Sequence, residues 1–130
     1  MIKKVLAIAA TGVILTGATA YAAKTDSFNF QLNPNSSAFS TTSKKTNEYG
    51  YATIKTTTIT GSGNPGIRYK VYDEDGSKAI SQESSTVKKE NKTVNPVYNS
   101  TPDDDDVSRL YGKQSVSSTS PMKYSGTWYN

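Results

Sequence analysis

The 130-residue chain contains no cysteine and no histidine. Without cysteine a small domain has no disulfides, so it must hold together by packing, sheet hydrogen bonds or a bound ion. The two absences together remove cysteine nucleophiles, Ser-His-Asp and Cys-His triads, and the zinc sites built on Cys or His. Apolar bulk is scarce too, with one tryptophan, three phenylalanines and two methionines. Beyond Ala23 no stretch repeats apolar residues at the i, i+3, i+4, i+7 spacing of a helix. Serine, threonine and asparagine are plentiful instead, together with nine tyrosines. Thr and Tyr favour pleated, half-buried surfaces, while Ser, Asn, Gly and Pro punctuate them.

The opening residues have a composition of their own. Met1-Ile2-Lys3-Lys4 is cationic, the stretch from Val5 to Leu15 is apolar and small, and both Ala18-Thr19-Ala20 and Ala20-Tyr21-Ala22 offer a small-residue cleavage site. That order reads as a secretory signal over 1–22, followed by a single domain over 23–130. The apolar part falls short of the roughly 18–20 residues of a spanning helix, and no cysteine is present for a lipoprotein anchor. The expectation is a secreted protein, extracellular or cell-wall associated, with no stable membrane span after processing. Removing Lys3 and Lys4 leaves 13 basic residues against 11 acidic ones, from 15 against 11 in the full chain. So even a balance is no nucleic-acid footprint, which needs a basic patch or stripe.

Alternation organises the remainder. Ser27-Phe28-Asn29-Phe30-Gln31-Leu32 places Phe28, Phe30 and Leu32 on one face of a strand, and Asn33-Pro34-Asn35 ends it. The polar stretch through Lys45, broken by Phe39, reads as a loop or an edge strand. Residues 49–60 form the longest strand candidate; Ile59 falls on the wrong face relative to Ala52 and Ile54 unless a bulge near Thr56–Thr58 restores it. Ile67, Tyr69 and Val71 alternate with Arg68, Lys70 and Tyr72, and Asp75-Gly76 supplies the positive-φ residues of a hairpin turn, with a strand returning through Ile80. Further short runs cover 85–89, 93–98 and 109–116. In the last run, 122–129, Met122, Tyr124 and Trp128 point inward together. The sum is an all-β, small antiparallel β-sandwich of about seven or eight short strands, preceded by the signal helix.

Three features invite a chemical reading. Gly61-Ser62-Gly63-Asn64-Pro65-Gly66 matches G-x-G-x-x-G, but the dinucleotide fingerprint needs a helix next. Here a strand pattern follows, so the segment reads as a turn. Asp103, Asp104, Asp105 and Asp106 are the densest charge in the chain, and a hard cation such as Ca²⁺ takes several loop oxygens. They are the candidate metal ligands, joined by Asp73-Glu74-Asp75-Gly76 if the two loops share one end of the sandwich. Tyr72, on the face opposite Ile67, Tyr69 and Val71, is the candidate ligand-binding ring. The carboxylates sit in polar turns that would not raise a pKa for general-acid work, so no enzyme and no resident cofactor is expected beyond that calcium ion. The sequons at Asn35, Asn91 and Asn99 read as chance matches.

The Lys-Lys leader, Ser27-Phe28-Asn29-Phe30 with Asn33-Pro34-Asn35, the Thr-rich central strand and the closing Tyr124-Ser125-Gly126-Thr127-Trp128 resemble a family of small secreted, cysteine-free β proteins of Gram-positive bacteria. Members of that family sometimes accompany bacteriocin export loci. The resemblance implies a secreted protein and carries no catalytic motif. Three functions follow as expectations: an interaction or structural protein that meets a cell-envelope component or extracellular protein, a bacteriocin-like or bacteriocin-accessory factor, and a calcium-stabilised carbohydrate-binding module.

Overall fold

The computed structural model describes residues 25–34, 36–44, 49–103, 105–114 and 120–130. The 1–22 leader lies outside them. Seven strands follow one another: β1 (Asp26–Leu32), β2 (Ser37–Lys44), β3 (Thr53–Gly61), β4 (Ile67–Asp73), β5 (Lys92–Val94), β6 (Val107–Gln114) and β7 (Met122–Tyr129). All pairings are antiparallel, in a four-stranded sheet ordered β1-β7-β3-β5 and a three-stranded sheet ordered β2-β6-β4. The sheets pack face to face as a sandwich.

Its interior comes from the alternation in the sequence. Phe28, Phe30 and Leu32 of β1, Met122, Tyr124 and Trp128 of β7, Ile67, Tyr69 and Val71 of β4, and Leu110 of β6 are all buried in one cluster. The register of β3 on β7 shifts between Thr56 and Thr58, so the expected bulge is present and brings Ile59 against the core. Opposite that bulge stands Gly126, where a Cβ would lie 1.9 Å from the Lys55 carbonyl oxygen. No side chain fits there. One buried hydrogen bond, 2.6 Å between Thr56 Oγ1 and the Tyr69 hydroxyl, joins β3 in one sheet to β4 in the other.

Serine takes over where strand pairing runs out. The stretch 67–72 extends to Asp73, and Gly76 turns the chain with φ of 77°. The return is not the regular strand that the pattern predicts. It pairs with β4 at Tyr72–Ala79, departs, and rejoins at Ile67–Val87. Between those bridges the Tyr69 amide donates to Ser84 Oγ at 2.9 Å and the Val71 amide to Ser81 Oγ at 2.8 Å. The Ser84 and Ile80 amides answer with bonds to the Tyr69 and Val71 carbonyls. Every backbone group on this edge of β4 therefore has a partner, as burial demands, although no second strand lies there. Ser40 does the same at the irregularity in β2, where its hydroxyl accepts the Leu110 amide at 3.0 Å.

The strand expected over 93–98 shortens to the three residues of β5. Pro96, lacking an amide hydrogen, cannot continue the ladder, and the chain goes on through single bridges from Val97 to Tyr51 and from Tyr98 to Ser81. The Tyr98 hydroxyl is buried and hydrogen-bonds to Asn130 Oδ1. Segment 79–98 thus closes one side of the sandwich, while β1 and β2 are the edge strands of the other.

Candidate functional site

The outer face of the three-stranded sheet carries an aromatic cluster. Alternation in β4 and β6 sends Tyr72 and Tyr111 away from the core, since Val71 and Leu110 point into it. In β2, Phe39 lies directly across from Tyr111. The Phe39 and Tyr72 ring centroids are 5.2 Å apart and nearly perpendicular at 89°, Phe39 and Tyr111 are 5.2 Å apart, and Tyr72 and Tyr111 5.0 Å apart. These are the edge-on and tilted spacings that aromatic quadrupoles favour. Gly76, in the turn after β4, packs on the same ring; a Cβ there would meet Phe39 Cζ at 3.3 Å.

Tyr72 is therefore placed as the alternation predicts, outside the core, but half-buried by its two neighbours. Of these three rings the most open to solvent is Phe39, with 41% of its surface exposed. Sequence reasoning did not single out Phe39 or Tyr111. Their meeting depends on the β2–β6 register, which no local pattern announces.

Cations surround these rings. Arg68 and Lys70 project from β4, Arg109 and Lys113 from β6, each on the outer side. Lys70 stands directly across from Tyr111, and Arg109 across from Tyr72. Arg68 pairs with Glu83 at 3.4 Å. Both side chains of that pair are solvent-exposed, where an ion pair contributes about 0–1 kcal/mol.

The two acidic loops meet at one end of the sandwich, the condition set for their cooperation. Asp73, Glu74, Asp103 and Asp106 line a single groove of about 410 Å³ with Ser100, Thr101 and Pro102. Ser108, whose hydroxyl is buried without a hydrogen-bond partner, lines it as well. Much of this acidity organises the backbone. Asp73 accepts from the Ser77 and Lys78 amides, Asp75 from the Ser77 amide, and Asp106 from the Asp103 amide. Such Asx interactions are what short acidic side chains do in turns. Hydrogen bonds from the Ser77 side chain and amide hold the Asp75 carboxyl below the usual carboxylate range. Asp105 has φ of 68°. Asp104 lies outside the described residues. Among those described, no three Asp or Glu gather closely enough to hold a metal ion.

The Gly61–Gly66 loop is a turn between strands, as its reading required. Asn64 orders it, accepting the Gly66 amide at 3.1 Å and donating to the Lys88 carbonyl at 2.7 Å. A strand, β4, follows it. A second pair of rings, Tyr49 and Tyr51, stacks in parallel at 5.2 Å, with Tyr49 55% exposed.

Set against family models, curated proteins and solved structures, the chain matches none of them.

Proposed function

We propose that the chain is exported by its 1–22 leader and acts as a non-enzymatic binding domain at the cell surface, where it holds a glycan of the envelope against Phe39, Tyr72 and Tyr111. The observation that carries this reading is the position of Phe39. A phenylalanine seated between two tyrosines on a face turned away from the core still leaves 41% of its surface in water, apolar area that folding has not covered. It offers what a sugar needs: a flat apolar ring for the C–H face of a pyranose, with tyrosine hydroxyls at its rim to meet the sugar's polar groups.

The size of the patch favours a glycan over a protein partner. Three rings of about 150–250 Å² each, already partly covered by one another, offer well under the roughly 800 Å² per partner of a stable protein interface. The lack of His and Cys and the use of the carboxylates as turn acceptors both favour binding without catalysis.

Sedimentation of the processed protein with purified cell walls tests the proposal. Phe39→Ala lowers the bound fraction at least fivefold while the folded fluorescence of Trp128 is retained. Equal binding by wild type and variant rejects the reading.

A calcium-stabilised form of the same reading has in its favour the two acidic loops and the unpartnered Ser108 hydroxyl on one groove, and against it that no three described carboxylates gather closely enough to hold an ion. Binding to the folded state alone raises stability by RT ln(1 + [L]/Kd), about 2.7 kcal/mol at a hundredfold excess over Kd. A melting midpoint identical in millimolar Ca²⁺ and in chelator removes it.

A further inference from the structure

The outer face of β2-β6-β4 is one-sided in charge as well as aromatic. Among its outward strand positions, Arg68, Lys70, Arg109 and Lys113 are cationic, and no Asp or Glu occupies any of them. The one acid within these strands, Asp73, shares its side with the buried Ile67, Tyr69 and Val71. Glu83 reaches the face only at its margin, where it engages Arg68. Among the described residues, Lys70, Arg109 and Lys113 make no ion pair, and the Nε of Arg109 is buried without a hydrogen-bond partner. Seven of the chain's eleven acids belong to the turn 73–75 and the loop 103–106; Asp73, Glu74 and Asp75 line a groove with Arg109 at the end of the face, which leaves Lys70 and Lys113 as the cations away from any acid of that turn.

We infer that the ligand of this face is an anionic glycan, a polymer whose sugar rings carry carboxylates, seated with its rings on Phe39, Tyr72 and Tyr111 and its charges on Lys70 and Lys113. This rests on the proposed glycan binding and adds the charge of the polymer. The strand register supplies the geometry. Each tyrosine of the cluster has a cation directly across the strand, Lys70 beside Tyr111 and Arg109 beside Tyr72. Directly opposed residues of an antiparallel pair lie about 4.5–5.5 Å apart at Cβ, so an apolar platform and a positive charge recur together within the span of one sugar unit. A neutral glycan would leave Lys70 and Lys113 unanswered. A polyanion without rings would leave the exposed phenylalanine wet.

Polygalacturonate and its methyl ester separate the two contributions, because esterification removes the charge and keeps the ring backbone. Titrated with the processed protein at low salt, polygalacturonate binds at least about tenfold more tightly than the ester. That advantage shrinks as salt rises to roughly 0.5 M, where the Debye length falls to a few ångströms. Lys70→Gln with Lys113→Gln removes the preference and leaves binding of the ester in place; both are surface positions, and retained Trp128 fluorescence verifies the fold. Phe39→Ala weakens both polymers. Equal affinity for polygalacturonate and ester, with Phe39→Ala weakening both, overturns the anionic assignment and spares the glycan reading. Failure of both polymers and of cell walls to bind overturns the two together. Inorganic polyphosphate bound as tightly as polygalacturonate shows a bare cationic surface, and single-stranded DNA bound more tightly shows a nucleic-acid surface; either result overturns the inference.

Discussion

The hydrogen bond between Thr56 Oγ1 and the Tyr69 hydroxyl, 2.6 Å long and fully buried, fastens one sheet to the other in the middle of an apolar core. A double-mutant cycle measures it. Tyr69→Phe keeps the ring, which packs against Phe28 at 5.6 Å and Phe30 at 6.4 Å, but leaves the threonine oxygen buried and unpaired. Thr56→Val leaves the phenol in the same position. An orphaned buried hydroxyl costs about 1–3 kcal/mol, whereas replacing both partners with apolar groups of similar shape is nearly neutral. Each single variant should therefore lose about 2 kcal/mol, and the double variant no more than either single. For a domain of this size 2 kcal/mol lowers the melting midpoint by roughly 8–16 °C. In urea, with a slope of about 1–3 kcal/mol/M, it moves the unfolding midpoint by about 1 M. Trp128, the chain's one tryptophan and fully buried, reports unfolding by fluorescence in both assays. Losses that simply add in the double variant would refute the coupling, because independent sites add and partners do not.

Other outcomes are equally specific. Burial raises the Tyr69 and Tyr98 phenols well above their usual range and pushes Tyr124 up to about 12. The folded state then holds phenolic protons that the unfolded chain releases near pH 10, so this stability is complete below pH 10 and is lost as pH rises toward and past the folded values. At about 1.4 kcal/mol per unit for each phenol, the two deeply buried ones, Tyr69 and Tyr98, together cost roughly 3 kcal/mol by pH 11, with the better-solvated Tyr124 hydroxyl adding less, and tyrosinate absorbance should rise in the same cooperative step as Trp128 exposure. Gradual, independent titration of the three would contradict this. Gly126→Ala forces a Cβ to within 1.9 Å of the Lys55 oxygen and should remove about 3 kcal/mol or more, read as loss of the sheet signal in circular dichroism; an unchanged urea midpoint would show that the bulge adapts. Gly76→Ala, strained at φ of 77° and pressed on the Phe39 ring, should reduce wall binding more than it reduces stability. The reverse ranking would detach the turn from the aromatic cluster.

Strands β1, β4 and β7 were legible in the sequence because each alternates large apolar residues strictly, and that pattern has few physical meanings. The bulge at Thr56–Thr58 was legible for the same reason, since Ile59 breaks a parity that only an extra residue mends. Strand β2 was not distinct from a loop. Ser37-Ala38-Phe39-Ser40 has a single large apolar residue, and Phe39 turned out to point outward. The return after Gly76 was misread as a regular strand because Ser81 and Ser84 take the place of backbone carbonyls, a substitution that leaves no periodic trace. Parity sufficed to put Tyr72 outside the core, but its cluster needed the register of three strands. The convergence of the acidic loops could be stated only as a condition, because strand order decides which loops share an end.

The serine hydroxyls along β4 have a consequence for how this protein fails. Two side-chain acceptors can let go one at a time, with no neighbouring strand to break. When segment 79–87 lifts, the amides and carbonyls of Tyr69 and Val71 become a docking rail for any extended chain. Self-association should therefore begin at β4, and Ser81→Ala with Ser84→Ala should shorten the lag before fibrils form without altering the residues that hold the ligand.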